Sequence, residues 1–365
     1  MLKEFCAPSK YIQGKGASEH LALEIARMQL GKGALILAGR SARKHLDKTW
    51  KRSFKATGLS YDVLDFGGEC SRHEIDKVKA AVFASGASVI VAAGGGKVID
   101  TARAAASDED LPVVVCPTVA SSDAPCSKLS VLYSNDGVFD SYLFFKRNPD
   151  LVLVDSSMVA KAPARLLVAG MGDALATWFE ARAVREACKK NQVGGYPTVS
   201  ATSLAKLCYE TLLENGAASI KSLEREEVDD ALERVIEANT LLSGLGFESG
   251  GLAVAHSVHN GLTTIPETHD FYHGEKVSFG TLVQIVLEKR ADEELKQVLA
   301  FCNSVGLPVC LEQVGIVNSS DEIIERIAKR TVAPGETAHN EPFPVNAEMV
   351  AAAIVEADKL GRQSL

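Results

Sequence analysis

The chain has 365 residues, 46% hydrophobic and 24% charged, a globular composition with room for two cores of ordinary size. A formal net charge of −8 argues against a nucleic-acid partner or an anionic membrane surface, and no stretch reads as a secretory signal or a membrane span. The expectation is a soluble cytoplasmic protein whose eight scattered cysteines, lacking any C-x-x-C pair, are reduced thiols.

Short apolar runs at 34–38, 62–66, 89–93, 113–116 and 151–154 alternate with segments of helical periodicity at 43–57 and 73–84. That alternation predicts an α/β domain over residues 1–160, with a mostly parallel sheet covered on both faces. Runs at 129–133 and 142–145, split by Asn135-Asp136-Gly137, read as an added hairpin. After Asp155 no comparable strand pattern recurs. Val228, Leu232, Val235, Asn239 and Leu242 form a helical stripe, and similar stripes cover 203–213, 276–289, 291–304 and 347–360. Residues 161–365 are therefore predicted to be an all-helical second domain.

Gly94-Gly95-Gly96-Lys97 follows the apolar run ending at Ala93 and opens a helical segment. A strand, a glycine turn and a helix start present free backbone N–H groups to an anion such as a pyrophosphate. A plain tight turn accounts for the same residues. The small-residue loop from Pro117 to Ser127 follows another strand, at the edge where open α/β sheets bind ligands. Within it Asp123 reads equally as a polyol-orienting carboxylate or as a turn and capping residue.

Four of the eight histidines, His256, His259, His269 and His273, crowd into the stretch from Gly251 to Gly280. Neutral imidazole is a common metal ligand, and two histidines with one carboxylate hold a divalent ion while leaving a position open. Asp173, in an apolar helical run, is a carboxylate candidate; helix capping is its competing role, and Glu180 is a weaker candidate farther along. Half-buried or surface roles remain open for each histidine taken singly.

These motifs together, GGGK at 94–97 with Asp100, FGGECS at 66–71, PTVASSDAPCS at 117–127, GMGDALATWFEARA at 170–183, the segment 233–262 and YHGEKVSFGTL at 272–282, resemble the glycerol dehydrogenases of the metal-dependent (iron-type) alcohol dehydrogenase superfamily. The resemblance spans nearly the whole chain. It implies a dinucleotide on the N-terminal sheet, zinc on the helical domain and an active site between them, oxidising glycerol and related vicinal diols, as a homo-oligomer. Carried over by motif, Asp173, His256 and His273 resemble the zinc ligands. Asp123 resembles the substrate-orienting carboxylate and Phe247 a pocket residue, while His259 is a second candidate for a proton relay. Gly95, Gly96, Lys97, Thr118, Ser121, Ser127, Leu129 and Tyr133 resemble the cofactor contacts.

Iron-using relatives carry a histidine four positions after the aspartate; Thr177 stands there, which favours zinc. NAD users commonly carry an aspartate after the first strand of the sheet. Gly39 occupies that place, with Arg40 and Arg43 near it, so NADP competes with NAD. Two rival readings remain. One is a phosphate-handling relative, a glycerol-1-phosphate dehydrogenase or a 3-dehydroquinate synthase-like lyase, for which the metal-bearing stretch offers only Lys276. The other is a non-catalytic nucleotide- or metal-binding module.

Overall fold

The computed structural model describes residues 1–365. Strands β1 (Tyr11–Gly14), β2 (Gly33–Ala38), β3 (Ser60–Asp65), β4 (Val89–Gly94), β5 (Val113–Pro117) and β8 (Leu151–Asp155) form one sheet in the order β1-β8-β5-β4-β2-β3. Every pairing in it is parallel. The hairpin β6 (Leu129–Tyr133) and β7 (Phe139–Phe144) stands apart as an antiparallel pair. Helices α1 (Leu21–Arg27), α2 (Arg40–Thr57), α3 (Arg72–Ser85) and α4 (Gly96–Asp108) cover the sheet. After α5 (Ser156–Val159) the chain is helical: α6 (Ala164–Glu186), α7 (Val199–Glu224), α8 (Asp230–Glu237), α9 (Ser243–Gly250) and α10 (Val254–Leu262) lead to α11 (His273–Leu287). The remaining helices are α12 (Asp292–Val305), α13 (Asp321–Thr331) and α14 (Ala347–Ser364).

The five predicted strands and the hairpin are present, and their apolar runs explain why. In β2, Ala34 and Ile36 point into a core closed by Trp50, Phe54, Leu21 and Ile25, whereas Leu35 and Leu37 point the other way. That second face joins Ile90, Val115 and Val152 to the core of the helical half. A strand buried on both faces has no polar alternation, so it reads as a continuous run.

Strand β1 went unpredicted because Tyr-Ile-Gln-Gly is half-buried at a sheet edge. Its polar side chains have partners elsewhere: the Tyr11 hydroxyl meets Thr240 Oγ1 at 2.7 Å and Gln13 Nε2 donates to Glu233 Oε2 at 2.6 Å. The first residues of the chain also leave the sheet, with Glu4 N donating to Tyr196 O at 3.1 Å. No helix is long and apolar enough to cross a membrane.

Inside the helical half, Glu341 is buried and neither carboxyl oxygen has a hydrogen-bond partner. Burial pushes its pKa from 4.5 up to about 9, with the charges of Glu288 and Glu180 adding to the effect. Between those values the folded chain keeps a proton that the unfolded chain has lost, so rising pH draws stability away at about 1.4 kcal/mol per unit. Glutamine mimics the protonated carboxyl and has no proton to lose. Glu341→Gln is therefore expected to melt above the unmodified chain at pH 8, with the gap closing toward pH 5; a gap independent of pH in thermal melts would refute this.

Candidate metal centre and active site

Helix α6 is buried around almost its whole circumference, and its polar side chains at 173, 177 and 180 lie three or four apart on one stripe. Asp173, Thr177 and Glu180 are all fully buried. The capping account for Asp173 fails, because the residue lies in the middle of the helix, far from either end. Instead the Asp173 carboxylate faces two histidines. Its Oδ1 lies 3.3 Å from His256 Nε2 on α10 and 3.1 Å from His273 Nε2 at the start of α11.

Two glycines make this meeting possible. A Cβ on Gly274 would lie 1.7 Å from Ala169 O, and one on Gly172 would lie 2.3 Å from Gly274 O. Without side chains at those positions, α6 and the first turn of α11 approach closely enough to bring Asp173 to His273. Glu275 secures that turn: its Oε2 accepts from Tyr272 N at 2.7 Å, while its Oε1 receives Arg165 Nε at 2.6 Å.

One donor atom each from Asp173, His256 and His273 lies within 4.8 Å of the others. Ligands about 2.1 Å from a tetrahedral ion stand about 3.4 Å apart, close to the two spacings above. The back of every candidate ligand is engaged. Glu180 Oε2 lies 2.6 Å from His256 Nδ1, and its Oε1 accepts from Ala253 N and His256 N at 2.8 and 3.0 Å. His259 Nε2 lies 3.0 Å from His273 Nδ1. Asp173 Oδ2 accepts from Asp123 N at 3.1 Å. Such outer partners fix ring orientation and leave both Nε2 atoms free for an ion.

The electrostatics are those of a cation site. Burial acts against a charged His256, yet the carboxylates of Glu180 and Asp173 outweigh it and hold its pKa well up. Burial likewise acts against ionised Asp173, but His273 and His256 hold its pKa well down. His259 is pushed well down by burial and by His273 and Lys276. His269 stands outside this group, exposed, with Nε2 3.0 Å from Thr263 O.

Asp123 lies in the loop after β5 and is buried. It precedes a short 3-10 turn, but its carboxylate caps nothing. Oδ2 accepts from Ser243 Oγ at 2.9 Å. Burial, and then the charge of Asp173, push the Asp123 carboxyl well up. Phe247, one turn after Ser243 on α9, is buried.

The remaining predicted residues gather at the carboxyl edge of the sheet. Gly95 precedes α4 in extended conformation, Gly96 is its first residue, and Thr118 N donates to Gly94 O at 3.1 Å. Ser121 lies half-buried in the loop beyond. Lys97 pairs with Glu69 at 2.6 Å and lies 5.4 Å from the Tyr133 ring centroid. Leu129 and Tyr133 open and close β6. Ser127 differs, since its hydroxyl is buried and donates inward to Ala124 O at 3.3 Å. Beneath this loop the buried Arg103 donates to the carbonyls of Ala124 and Leu129. Ser243 and Arg103, which the sequence did not single out, and Asn239, read there only as part of a helical stripe, thus anchor it; Asn239 Nδ2 donates to Ala120 O at 2.9 Å.

Residues 8–156 match the family model of iron-containing alcohol dehydrogenases. A glycerol dehydrogenase of Pseudomonas putida is 47% identical over 98% of both chains. A glycolaldehyde reductase of Halobacterium salinarum is 44% identical, covering 100% of this chain and 99% of its own. The crystal structure of glycerol dehydrogenase from Schizosaccharomyces pombe superposes with a TM-score of 0.94 at 36% identity, over 99% of this chain and 92% of that one. With these relatives aligned along its full length, the chain belongs to the iron-containing alcohol dehydrogenase family and is an oxidoreductase acting on CH–OH groups.

Proposed function

We propose that the chain is a zinc-dependent dehydrogenase that reversibly oxidises glycerol and related vicinal diols, glycerol giving dihydroxyacetone, with NAD as hydride acceptor. The observation that carries this reading is the convergence of Asp173 Oδ1, His256 Nε2 and His273 Nε2, with Asp123 tied to them through its backbone N–H on Asp173 Oδ2. Two nitrogens and one oxygen with an open position suit catalytic zinc. Thr177, one turn beyond Asp173, gives its hydroxyl to Ser243 and adds no fourth ligand. The chain divides near residue 160, placing the cofactor on the sheet half and the ion on the helical half.

Bound zinc supplies Lewis acidity that makes the reacting hydroxyl a stronger acid, and NAD supplies the hydride acceptor. The chain's residues do the holding. Gly95 and Gly96 offer backbone N–H groups at the start of α4 to the pyrophosphate. Asp123 keeps one oxygen on Ser243 and presents the other to the hydroxyl beside the reacting carbon, fixing the substrate in register. Glu180 and His259 keep the ligand rings in place. His259 Nε2 lies 3.0 Å from His273 Nδ1 and its Nδ1 lies 3.2 Å from the Asn260 side-chain oxygen, so it buttresses His273 and stands where a proton relay from that ring would begin.

Two observations bear on the alternatives. Arg43, which could take up the extra phosphate of NADP, lies 3.8 Å from Asp65 and 3.4 Å from Asp47, so its charge is partly engaged; this supports NAD. A phosphate-bearing substrate would need free cations near the ligands. Lys276 is instead buried and donates to Thr268 O at 3.3 Å, and Arg165 is paired with Glu275.

Cofactor reduction with glycerol, 1,2-propanediol and monoalcohols, and reduction of glycolaldehyde in the reverse direction, is expected to vanish after thorough chelation. Zinc should restore it, with glycerol and 1,2-propanediol the better alcohols. Activity indifferent to chelation, or restored only by iron, would overturn the zinc assignment.

A further inference from the structure

A short hydrogen-bonded chain reaches Asp123 from behind. Thr177 Oγ1 lies 2.8 Å from Ser243 Oγ, and Ser243 Oγ donates to Asp123 Oδ2 at 2.9 Å. Because the serine proton goes to the carboxylate, the threonine proton goes to the serine. Both hydroxyl residues are fully buried. Asp123 Oδ1 takes no hydrogen bond from the protein, which leaves that oxygen for a substrate hydroxyl.

The local fold is built to bring these three residues together. Helix α9 follows a π-helical turn, Ala238–Leu242, which shifts the phase of the helix just before Ser243. Close approach continues on either side. A Cβ at Gly244 would lie 3.0 Å from Cys126 Cβ and 3.1 Å from Asp123 O, and one at Gly246 would lie 2.5 Å from Thr177 Cγ2. Asn239, in the π turn, reaches the same loop at Ala120 O and α6 at Leu167 O. Three segments far apart in sequence are thus clamped where the hydroxyls and the carboxylate meet.

We propose that Thr177 and Ser243 are positioning residues that lock the Asp123 carboxylate by one oxygen, so that the other selects substrates carrying a second hydroxyl next to the reacting one. The proposal rests on the reading of Asp123 as the substrate-orienting group. Losing a single hydrogen bond of this kind costs up to about tenfold in an equilibrium constant. Neither residue touches the substrate; both act through Asp123.

The test compares 1,2-propanediol with 2-propanol, which shares the secondary alcohol but lacks the second hydroxyl, in Ser243→Ala, Thr177→Val, Thr177→Ser and Asp123→Ala. In Ser243→Ala and Thr177→Val, kcat/KM for the diol is expected to fall about tenfold further than for 2-propanol, mainly through KM. Bound zinc and Tm should stay close to those of the unmodified chain, and Thr177→Ser should retain the diol preference. Equal losses on both alcohols, or an unchanged diol preference while Asp123→Ala abolishes it, would overturn the positioning role alone. An unchanged preference in Asp123→Ala as well would remove the reading of Asp123 beneath it.

Discussion

Asp173→Ala is expected to release zinc and to lower kcat/KM by about 10³-fold or more. The carboxylate is the one group that meets both histidines, at 3.3 and 3.1 Å, and it brings the negative charge to an otherwise neutral donor set. Lewis-acid assistance contributes several kcal/mol to such a reaction, and each 1.36 kcal/mol is about a factor of ten. The loss extends past the ligand itself, since Asp123 N donates to Asp173 Oδ2 and would lose its acceptor. His269→Ala is the matched control. That ring is exposed and contacts Thr263 O, so zinc content should not change. Metal analysis after passage over a weak chelating resin reads both outcomes; full zinc occupancy in Asp173→Ala would remove the residue from the ligand set.

The legible parts of this chain are those whose signal is local. Strands β2, β4, β5 and β8 are buried on both faces, so their apolar runs announce them, whereas β1 combines Tyr11 and Gln13 with contacts more than 200 residues away and shows no run at all. The histidines at 256 and 273 were visible as members of a dense cluster. Asp173, apart from the family motif that carries it, was visible only as an acid in an apolar context, and its mid-helix position removes the capping account that competed there. Thr177 drew notice only as a non-histidine and Ser243 not at all; neither gave a signal of the contact with position 123, because a small hydroxyl residue in a helix looks like filler. The glycines at 172 and 274 were equally silent. A glycine in a helix reads as weak propensity, and only the neighbouring helix reveals what it permits.

Those two glycines carry the second large effect. Gly274→Ala is expected to lower Tm by several degrees, to weaken zinc binding and to cut kcat/KM by about 100-fold. The new methyl carbon would lie 1.7 Å from Ala169 O, 2.7 Å from Ala169 C and 2.9 Å from Asp173 N, all backbone atoms of α6. No rotamer change relieves contact with backbone, so α6 and α11 must separate by about 1.5 Å to restore van der Waals distance. Overpacking of that kind costs about 1–3 kcal/mol in stability. The displacement also falls where it matters for chemistry, because Asp173 and His273 are carried by the two helices being forced apart. A misplacement of about 1 Å in a reacting constellation is enough for about a 100-fold loss. Excess zinc should recover part of the activity by driving the helices back together, raising Tm as it binds. A Gly274→Ala chain with unaltered Tm and zinc affinity would show that the close approach of these helices does not set the metal site.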